Sequence, residues 1–322
     1  YAAGGGITTG VRNTLIGGLA GDTYTDADYN VAVGLFVLGS DTLGSRATGV
    51  GYGALQTQNF TTATDSYNVA VGYDAGALLT TGLGNTLLGG LAGDALTDAD
   101  WNVAIGKNAL STDTLGSFST AIGINALETQ NFTTATSSYN TAVGALAGGA
   151  VTTGISNTLI GGLAGDAITD ADWNVSLGYS ALTDDILGSR STAVGAYALA
   201  NQVFSTATAA YNTAVGMDAG AQVTTGISNT LIGGLAGDAL TDADNNVAVG
   251  KGALSADTLG STAVAIGNFA LASQNFTTAT NNFNVAIGYS AGEQVTTGIS
   301  NTLIGGLAGD ALTDADYNVS FG

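Results

Sequence analysis

The apolar residues of this chain recur in a short motif, Asn-Thr/Val-Ala-Ile/Val-Gly, and not at the 3.6-residue spacing of an amphipathic helix. Successive motifs are separated by 17, 17, 21 and 17 residues, and this order repeats without a slip. A fixed period of this size is typical of a solenoid. We therefore predict an all-β parallel β-solenoid of about 18 coils, in which three coils of 17 residues and one of 21 form a 72-residue super-repeat. The motifs begin at residues 13, 30, 47, 68, 85, 102, 119, 140, 157, 174, 191, 212, 229, 246, 263, 284, 301 and 318.

The motif also predicts which side chains share a face. Position 2 is always Thr or Val and position 4 is always apolar, whereas position 3 is small except in the first coil of each block, where it is Leu. Because side chains alternate along a strand, positions 2 and 4 point one way and positions 3 and 5 the other. We predict that the β-branched row faces the core. The row of Gly, Ala and Leu87-type residues is then the face on which another backbone packs. The Asn of position 1 is expected to form a ladder of stacked amides.

No shift in composition interrupts the repeat, so residues 1–322 are predicted to form a single solenoid domain. The printed sequence enters and leaves the repeat within a coil. This indicates a segment of a longer array.

Composition and charge narrow the classes of function. The chain has no His, no Cys, five cations and a net charge of -20. The usual general bases, thiolate nucleophiles and soft metal ligands are missing, so we predict a protein that is not an enzyme. Phosphates and anionic lipid would be repelled, so no nucleic-acid partner is expected. No apolar run approaches the roughly 18 to 20 residues of a membrane span, so no membrane insertion is expected in this segment.

Several pentads carry a family resemblance. Asn102-Val103-Ala104-Ile105-Gly106, Ser119-Thr120-Ala121-Ile122-Gly123 and Asn140-Thr141-Ala142-Val143-Gly144 are each followed three residues later by Ala. They resemble the head repeats of trimeric autotransporter adhesins and similar repeats in phage tail-fibre-like proteins. The resemblance implies a left-handed β-roll, three chains side by side, and an adhesive or spacer role at a cell or virion surface.

The expected function is therefore that of a structural and adhesive extracellular fibre. It would assemble with itself, as a homotrimer or a fibril, and meet a glycan or protein receptor on a host surface or in the extracellular space. The alternative is a free-standing solenoid that binds ice or glycan, or a fibril building block. The Thr residues of position 2 alternate with Val on the face predicted to be the core, which disfavours ice binding. An enzyme with paired Asp residues, as in glycosidases, is disfavoured because the Asp clusters are repeated along the chain.

A recurring turn, Gly-Asp-x-x-Thr-Asp-Ala-Asp, concentrates the acidic residues and suggests calcium as the one candidate cofactor. Hard oxygen ligands without nitrogen or sulfur suit Ca²⁺. Asp41, Asp113, Asp185 and Asp257 follow in the next coil at a similar height. The alternative is that these residues cap turns and keep the fibre soluble. The candidate metal ligands are Asp94, Asp98, Asp100, Asp166, Asp170, Asp172, Asp238, Asp242 and Asp244, with equivalents in the first and last copies of the turn.

The longer coil of each block carries a Thr-rich excursion that is expected to serve display or contact. Asn59, Asn131 and Asn275 lie in Asn-Phe-Thr sequons in these excursions and are the glycosylation candidates. Thr residues of the same loops are alternative sites for O-linked sugar.

Aromatic residues precede many pentads, among them Tyr67, Trp101, Trp173 and Tyr211. A row of rings at one corner favours either a sugar-stacking groove or a stack that covers the open turn.

Overall fold

The computed structural model of the protein describes residues 2–322. Within this range the structure contains 26 short strands and no helix. By its internal contacts the chain divides into two compact units, Tyr1–Asn157 and Thr158–Gly322. Each unit is described below by itself, and the single domain over residues 1–322 stays a prediction.

One three-residue strand lies in every pentad, and a two-residue strand lies in the second and third coil of each complete block. In the first unit the three-residue strands are β1 (Thr14–Ile16), β2 (Val31–Val33), β4 (Thr48–Val50), β6 (Val69–Val71), β7 (Thr86–Leu88), β8 (Val103–Ile105), β10 (Thr120–Ile122) and β12 (Thr141–Val143). Its two-residue strands are β3 (Gly44–Ser45), β5 (Thr64–Asp65), β9 (Gly116–Ser117) and β11 (Thr136–Ser137).

The second unit repeats this arrangement. Its three-residue strands are β13 (Thr158–Ile160), β14 (Val175–Leu177), β16 (Thr192–Val194), β18 (Thr213–Val215), β19 (Thr230–Ile232), β20 (Val247–Val249), β22 (Val264–Ile266), β24 (Val285–Ile287), β25 (Thr302–Ile304) and β26 (Val319–Phe321). Its two-residue strands are β15 (Gly188–Ser189), β17 (Thr208–Ala209), β21 (Gly260–Ser261) and β23 (Thr280–Asn281).

Strands of successive coils pair in parallel and keep the pentad in register. Position 2 of one coil faces position 2 of the next, as in Thr86 opposite Val103 and Val175 opposite Thr192. The two-residue strands pair in the same sense, for example β9 with β11. This confirms the predicted parallel β-solenoid of about 18 coils.

The prediction about the two faces of the pentad is wrong. Position 3 lies inside the coil and is buried in every coil except the first and last, whereas positions 2 and 4 are partly exposed along the outer surface. Ala104 has no exposed surface, and Val103 and Ile105 on either side of it are half-exposed. The interior of a coil is narrow, so the small side chains of position 3 point inward. The β-branched side chains of positions 2 and 4 therefore point outward.

Inside the coils, large and small residues compensate for one another. Where position 3 is Leu87, position 9 is Gly93, and a Cβ on that glycine would lie 2.8 Å from a Leu87 methyl carbon. Where position 3 is Ala104, position 9 is Leu110, which is fully buried. In three of the four coils of a block one leucine therefore fills this part of the lumen, and in the fourth coil, where both positions are small, leucines of the neighbouring coils fill it, which keeps the interior close-packed.

The glycine of position 5 allows close stacking of the coils. Gly89 has a φ of +139°, and a Cβ there would lie 2.5 Å from the carbonyl oxygen of Gly106 in the next coil. The other position-5 glycines whose surroundings are described, except Gly322 in the last coil, meet a neighbouring glycine in the same way. The close approach predicted from this glycine is thus between successive coils of one chain, and not between this chain and another.

Candidate functional site

The position-1 asparagines form the predicted ladder, and it lies inside the solenoid. The Asn85 backbone N–H donates to Asn68 Oδ1 over 2.8 Å, and the Asn102 N–H donates to Asn85 Oδ1 over 2.9 Å. Each side-chain N–H₂ also donates to a carbonyl of its own coil, as Asn85 Nδ2 does to Ala99 O over 2.7 Å. The buried side-chain amide of Asn85 is thereby satisfied by its own coil and the neighbouring coils, which gives the position-1 asparagines a structural role.

A second buried polar column was not predicted. Asp113 Oδ2 accepts from Gln130 Nε2 over 2.6 Å, and Gln130 Oε1 accepts from Asn140 Nδ2 over 2.9 Å. Asp113 Oδ1 also accepts from the backbone N–H groups of Gly116 and Phe132. The same arrangement recurs at Asp41–Gln58–Asn68, Asp185–Gln202–Asn212 and Asp257–Gln274–Asn284.

These aspartates were expected at a similar height to the candidate calcium ligands, and the structure places them in the interior instead, with no exposed surface. Burial raises the pKa of Asp41 and of Asp185 above the ordinary value, and the hydrogen bond from the neighbouring glutamine opposes the rise. The sequence did contain a signal, because each of these Asp residues is followed 17 residues later by Gln.

The acidic turn forms hydrogen bonds with the coils on both sides of it. Asp98 Oδ1 accepts from the Thr81 hydroxyl over 2.6 Å, and Asp100 Oδ1 accepts from the Leu83 backbone N–H over 2.8 Å. Asp242 and Asp244 make the same two contacts with Thr225 and Ile227. In the second unit the Asp172 N–H donates to Ser189 Oγ, and Asp166 Oδ1 accepts from the Thr183 hydroxyl. Asp170 lies in the same turn, two residues before Asp172.

The first aspartate of the turn differs from the others. Asp94 Oδ1 and Asp238 Oδ1 are buried and form no hydrogen bond. Burial, followed by the nearby carboxylates of Asp74 and Asp218, raises the pKa of Asp94 and of Asp238. Between residues 2 and 322, no three acidic side chains come together as a metal site. Calcium binding stays a prediction, and a calcium titration followed by thermal unfolding tests it.

The sequon asparagines lie at the start of the Thr-rich excursions. Asn59 and Asn275 are exposed and Asn131 is half-exposed, and each side-chain oxygen accepts a hydrogen bond of 3.1 Å from a threonine of the preceding coil. Thr61 and Thr62 of the first excursion are exposed. Modification of these residues stays a prediction.

The outward face of the three-residue strands is an uncharged surface that recurs in every coil. Positions 2 and 4 carry only Thr, Val, Ile, Leu or Phe in all 18 coils, without a charge. In β14 the exposed fractions reach 37% for Val175 and 43% for Leu177. Rings border the face on both sides of this strand, since Trp173 is 49% exposed and Tyr179 is 52% exposed.

Arginine and aromatic side chains alternate at the corner before the strands. The Arg46 guanidinium carbon lies 5.1 Å from the Tyr29 ring centroid and 5.9 Å from that of Tyr67. Phe118 and Tyr139 stack at 5.4 Å between centroids. Arg12 lies over the other side of Tyr29 and donates to its hydroxyl. Several rings of the predicted aromatic row therefore stack on arginines or on other rings at an exposed corner. Both alternatives, a stack that covers the turn and a groove that binds sugar, stay predictions.

Comparison with known proteins identifies no family. The sequence matches no protein-family model and has no significant match among curated proteins. The described part of the chain contains no helix long and apolar enough to span a membrane.

Proposed function

We propose that this protein is a non-enzymatic structural and adhesive fibre that acts outside the cell or on a virion, and that its chains associate side by side, three together. The resemblance of the pentads to adhesin head repeats and tail-fibre repeats suggests both the location and the chain number. The proposal requires neither calcium nor attached sugar.

The observation that carries the proposal is the uncharged outward face of the strands. A monomeric soluble protein rarely exposes a contiguous apolar surface of this kind, and larger ones mark interfaces. Here the face recurs in every coil at the same register, while the acidic residues lie in turns away from it. Side-by-side chains would bury these faces against one another and leave the turns and the Thr-rich excursions exposed to a receptor.

The test is the mass of the particle in solution, measured by light scattering coupled to size exclusion. We expect three chains for the wild type. We expect a single, folded chain for a variant with Val175→Asp and Leu177→Asp on β14, together with Val215→Asp and Ile287→Asp elsewhere on the same face. The matched control carries the same four charges in the Thr-rich excursions, at Thr61, Thr62, Thr133 and Thr134, and should remain trimeric. A wild type that is a single chain contradicts the proposal.

Positions 2 and 4 of the pentad point outward and not toward the core as predicted. This orientation also favours examining the second candidate, a free-standing solenoid that binds ice. The threonines of position 2 lie on the outer face, and Thr192, Thr213 and Thr230 follow one another in register in the second unit. Val interrupts this column elsewhere, as at Val247 and Val264. Thermal hysteresis of a single-chain wild type would favour this function, whereas a trimer without hysteresis favours the fibre.

A further inference from the structure

Two arginines of the corner stack, Arg12 and Arg190, form no ion pair among the residues that the structure describes, and of these two Arg190 is the one that lies between two rings. Arg190 lies between two rings, with its guanidinium carbon 4.6 Å from the Trp173 ring centroid and 5.6 Å from that of Tyr211. Its side chain is exposed. Within residues 2–322 the one ion pair is that of Arg46, so Arg190 has no carboxylate partner there.

Arg46 is the matched case, at the equivalent position two 72-residue blocks earlier. It also lies between two rings, those of Tyr29 and Tyr67. Its Nε is 2.9 Å from Asp65 Oδ1, and the Tyr67 hydroxyl is 3.3 Å from Asp65 Oδ2. One carboxylate is thus bound by an arginine and a tyrosine of the same corner.

In the later block the carboxylate is replaced by a methyl group. Ala209 pairs with Ser189 in the same register as Asp65 pairs with Ser45. Arg190 and Tyr211 therefore keep the two donors that hold the Asp65 carboxylate, but the chain supplies no acceptor between them. A guanidinium already ordered between two rings loses little side-chain entropy on binding an anion.

We propose that Trp173, Arg190 and Tyr211 form a binding site for a carboxylated sugar, such as a hexuronic acid residue of an acidic polysaccharide. This inference deepens the proposed function, on which it rests, by naming the receptor chemistry. The ligand carboxylate takes the place that the Asp65 carboxylate occupies in the earlier block. The apolar C–H face of the sugar ring packs on Tyr211, since the next two residues of the corner column, Ser228 and Asn245, carry no ring.

The charge balance favours a local anion site in spite of the net charge of -20. Exposed charges farther than about 8 Å are largely screened at physiological ionic strength. A charge-assisted hydrogen bond to guanidinium is about twice as strong as a neutral one. Arg190 and the tyrosine hydroxyl therefore determine what binds at this corner.

The experiment uses the full chain with ¹⁵N label, whose three arginines give three Nε–Hε resonances, and digalacturonate as the probe. We expect a saturable shift of the Arg190 resonance and none of Arg46, with neutral galactobiose producing no shift. Ala209→Asp copies the internal partner of Arg46 and should weaken binding at least tenfold without unfolding the chain. Asp65→Ala should make Arg46 respond as well, which raises the stoichiometry from one to two per chain.

Three results would overturn the proposal. The first is the absence of a saturable shift at Arg190. The second is an equal affinity for acetate or for a short polyglutamate, which would show that no sugar is recognised. The third is a change in particle mass on Ala209→Asp without any binding of the probe, which would assign Arg190 to a contact between copies. A chain that binds the probe but is monomeric contradicts the fibre alone, so the two proposals fail separately.

Discussion

At the scale of single residues, Gly89 and Gly90 are adjacent but have opposite surroundings. A Cβ on Gly89 would lie 2.5 Å from a backbone oxygen of the next coil, whereas a Cβ on Gly90 would meet nothing within 4 Å. We expect Gly89→Ala to lower the free energy of unfolding by about 3 kcal/mol, because strain at positive φ adds to the steric clash. Denaturant unfolding measures this.

Gly90→Ala is the matched control and should change the same free energy by less than about 0.5 kcal/mol. Equal effects of the two substitutions would show that the coils are not stacked through the position-5 glycine.

Tyr24 has a buried polar atom without a hydrogen-bond partner, so a substitution there is expected to stabilise the protein. Its side chain is fully buried and its hydroxyl forms no hydrogen bond, while the equivalent residues of later blocks are Leu96 and Ile168. We expect Tyr24→Phe to raise the free energy of unfolding by about 1 kcal/mol, because it removes an unsatisfied hydroxyl from the interior. Thermal and denaturant unfolding would show the gain.

Tyr139→Phe, at an exposed corner, is the comparison and should leave stability unchanged. A loss of stability on Tyr24→Phe would mean that its hydroxyl does have a partner in solution.

At the scale of the coil, the Asp113–Gln130 pair is a buried polar connection between two neighbouring coils. We expect Gln130→Leu alone to lower the free energy of unfolding by about 2 to 3 kcal/mol, because it leaves a buried carboxylate oxygen without its donor. The double variant Asp113→Leu, Gln130→Val copies Leu96 and Val151, which fill this column in the adjacent coils.

The double variant should be more stable than Gln130→Leu, and a double-mutant cycle with the single variants Asp113→Leu and Gln130→Val measures the coupling. Additive losses would show that the two side chains act independently.

The sequence predicts the strands and their register well, because Gly follows every three-residue strand and Asn precedes most of them at a fixed spacing. It does not reveal which face points inward. Ala104 and Val103 satisfy the same alternation, and the width of the lumen, which decides between them, is not contained in the spacing. The hydrogen-bond partner of Asp98 lies in the preceding coil and that of Asp113 in the following coil. These contacts can therefore be identified only once the stacking of the coils is known.

At the scale of the whole molecule, stability should depend on pH in a defined direction. The pKa values of Asp41, Asp94, Asp185 and Asp238 are raised, with burial as the largest cause. The folded state therefore holds these protons more tightly than the unfolded chain, and ionisation at neutral pH opposes folding. As the pH falls from 7 through the raised values toward about 4, the unfolding temperature should rise. Relief of the net charge of -20 acts in the same direction.

The double variant Asp94→Asn, Asp238→Asn isolates part of this effect. At pH 7 it should be more stable than the wild type by no more than about 0.5 kcal/mol, since both groups are partly screened by solvent. The difference should shrink as the pH approaches 4. A wild type that loses stability steadily between pH 7 and pH 5 would contradict this account.

The buried Asp–Gln column also has a consequence for how such a gene can change in length. Duplicating the DNA for the second coil of a block would place two aspartates in neighbouring coils, and duplicating that for the third, 21-residue coil would place two glutamines there, which leaves a carboxylate or an amide without its complement. Duplicating all four coils restores the original neighbours at both junctions. Recombination between alleles should therefore yield viable size variants whose genes differ in length by multiples of 72 codons. Natural alleles of different length should differ by the same multiples.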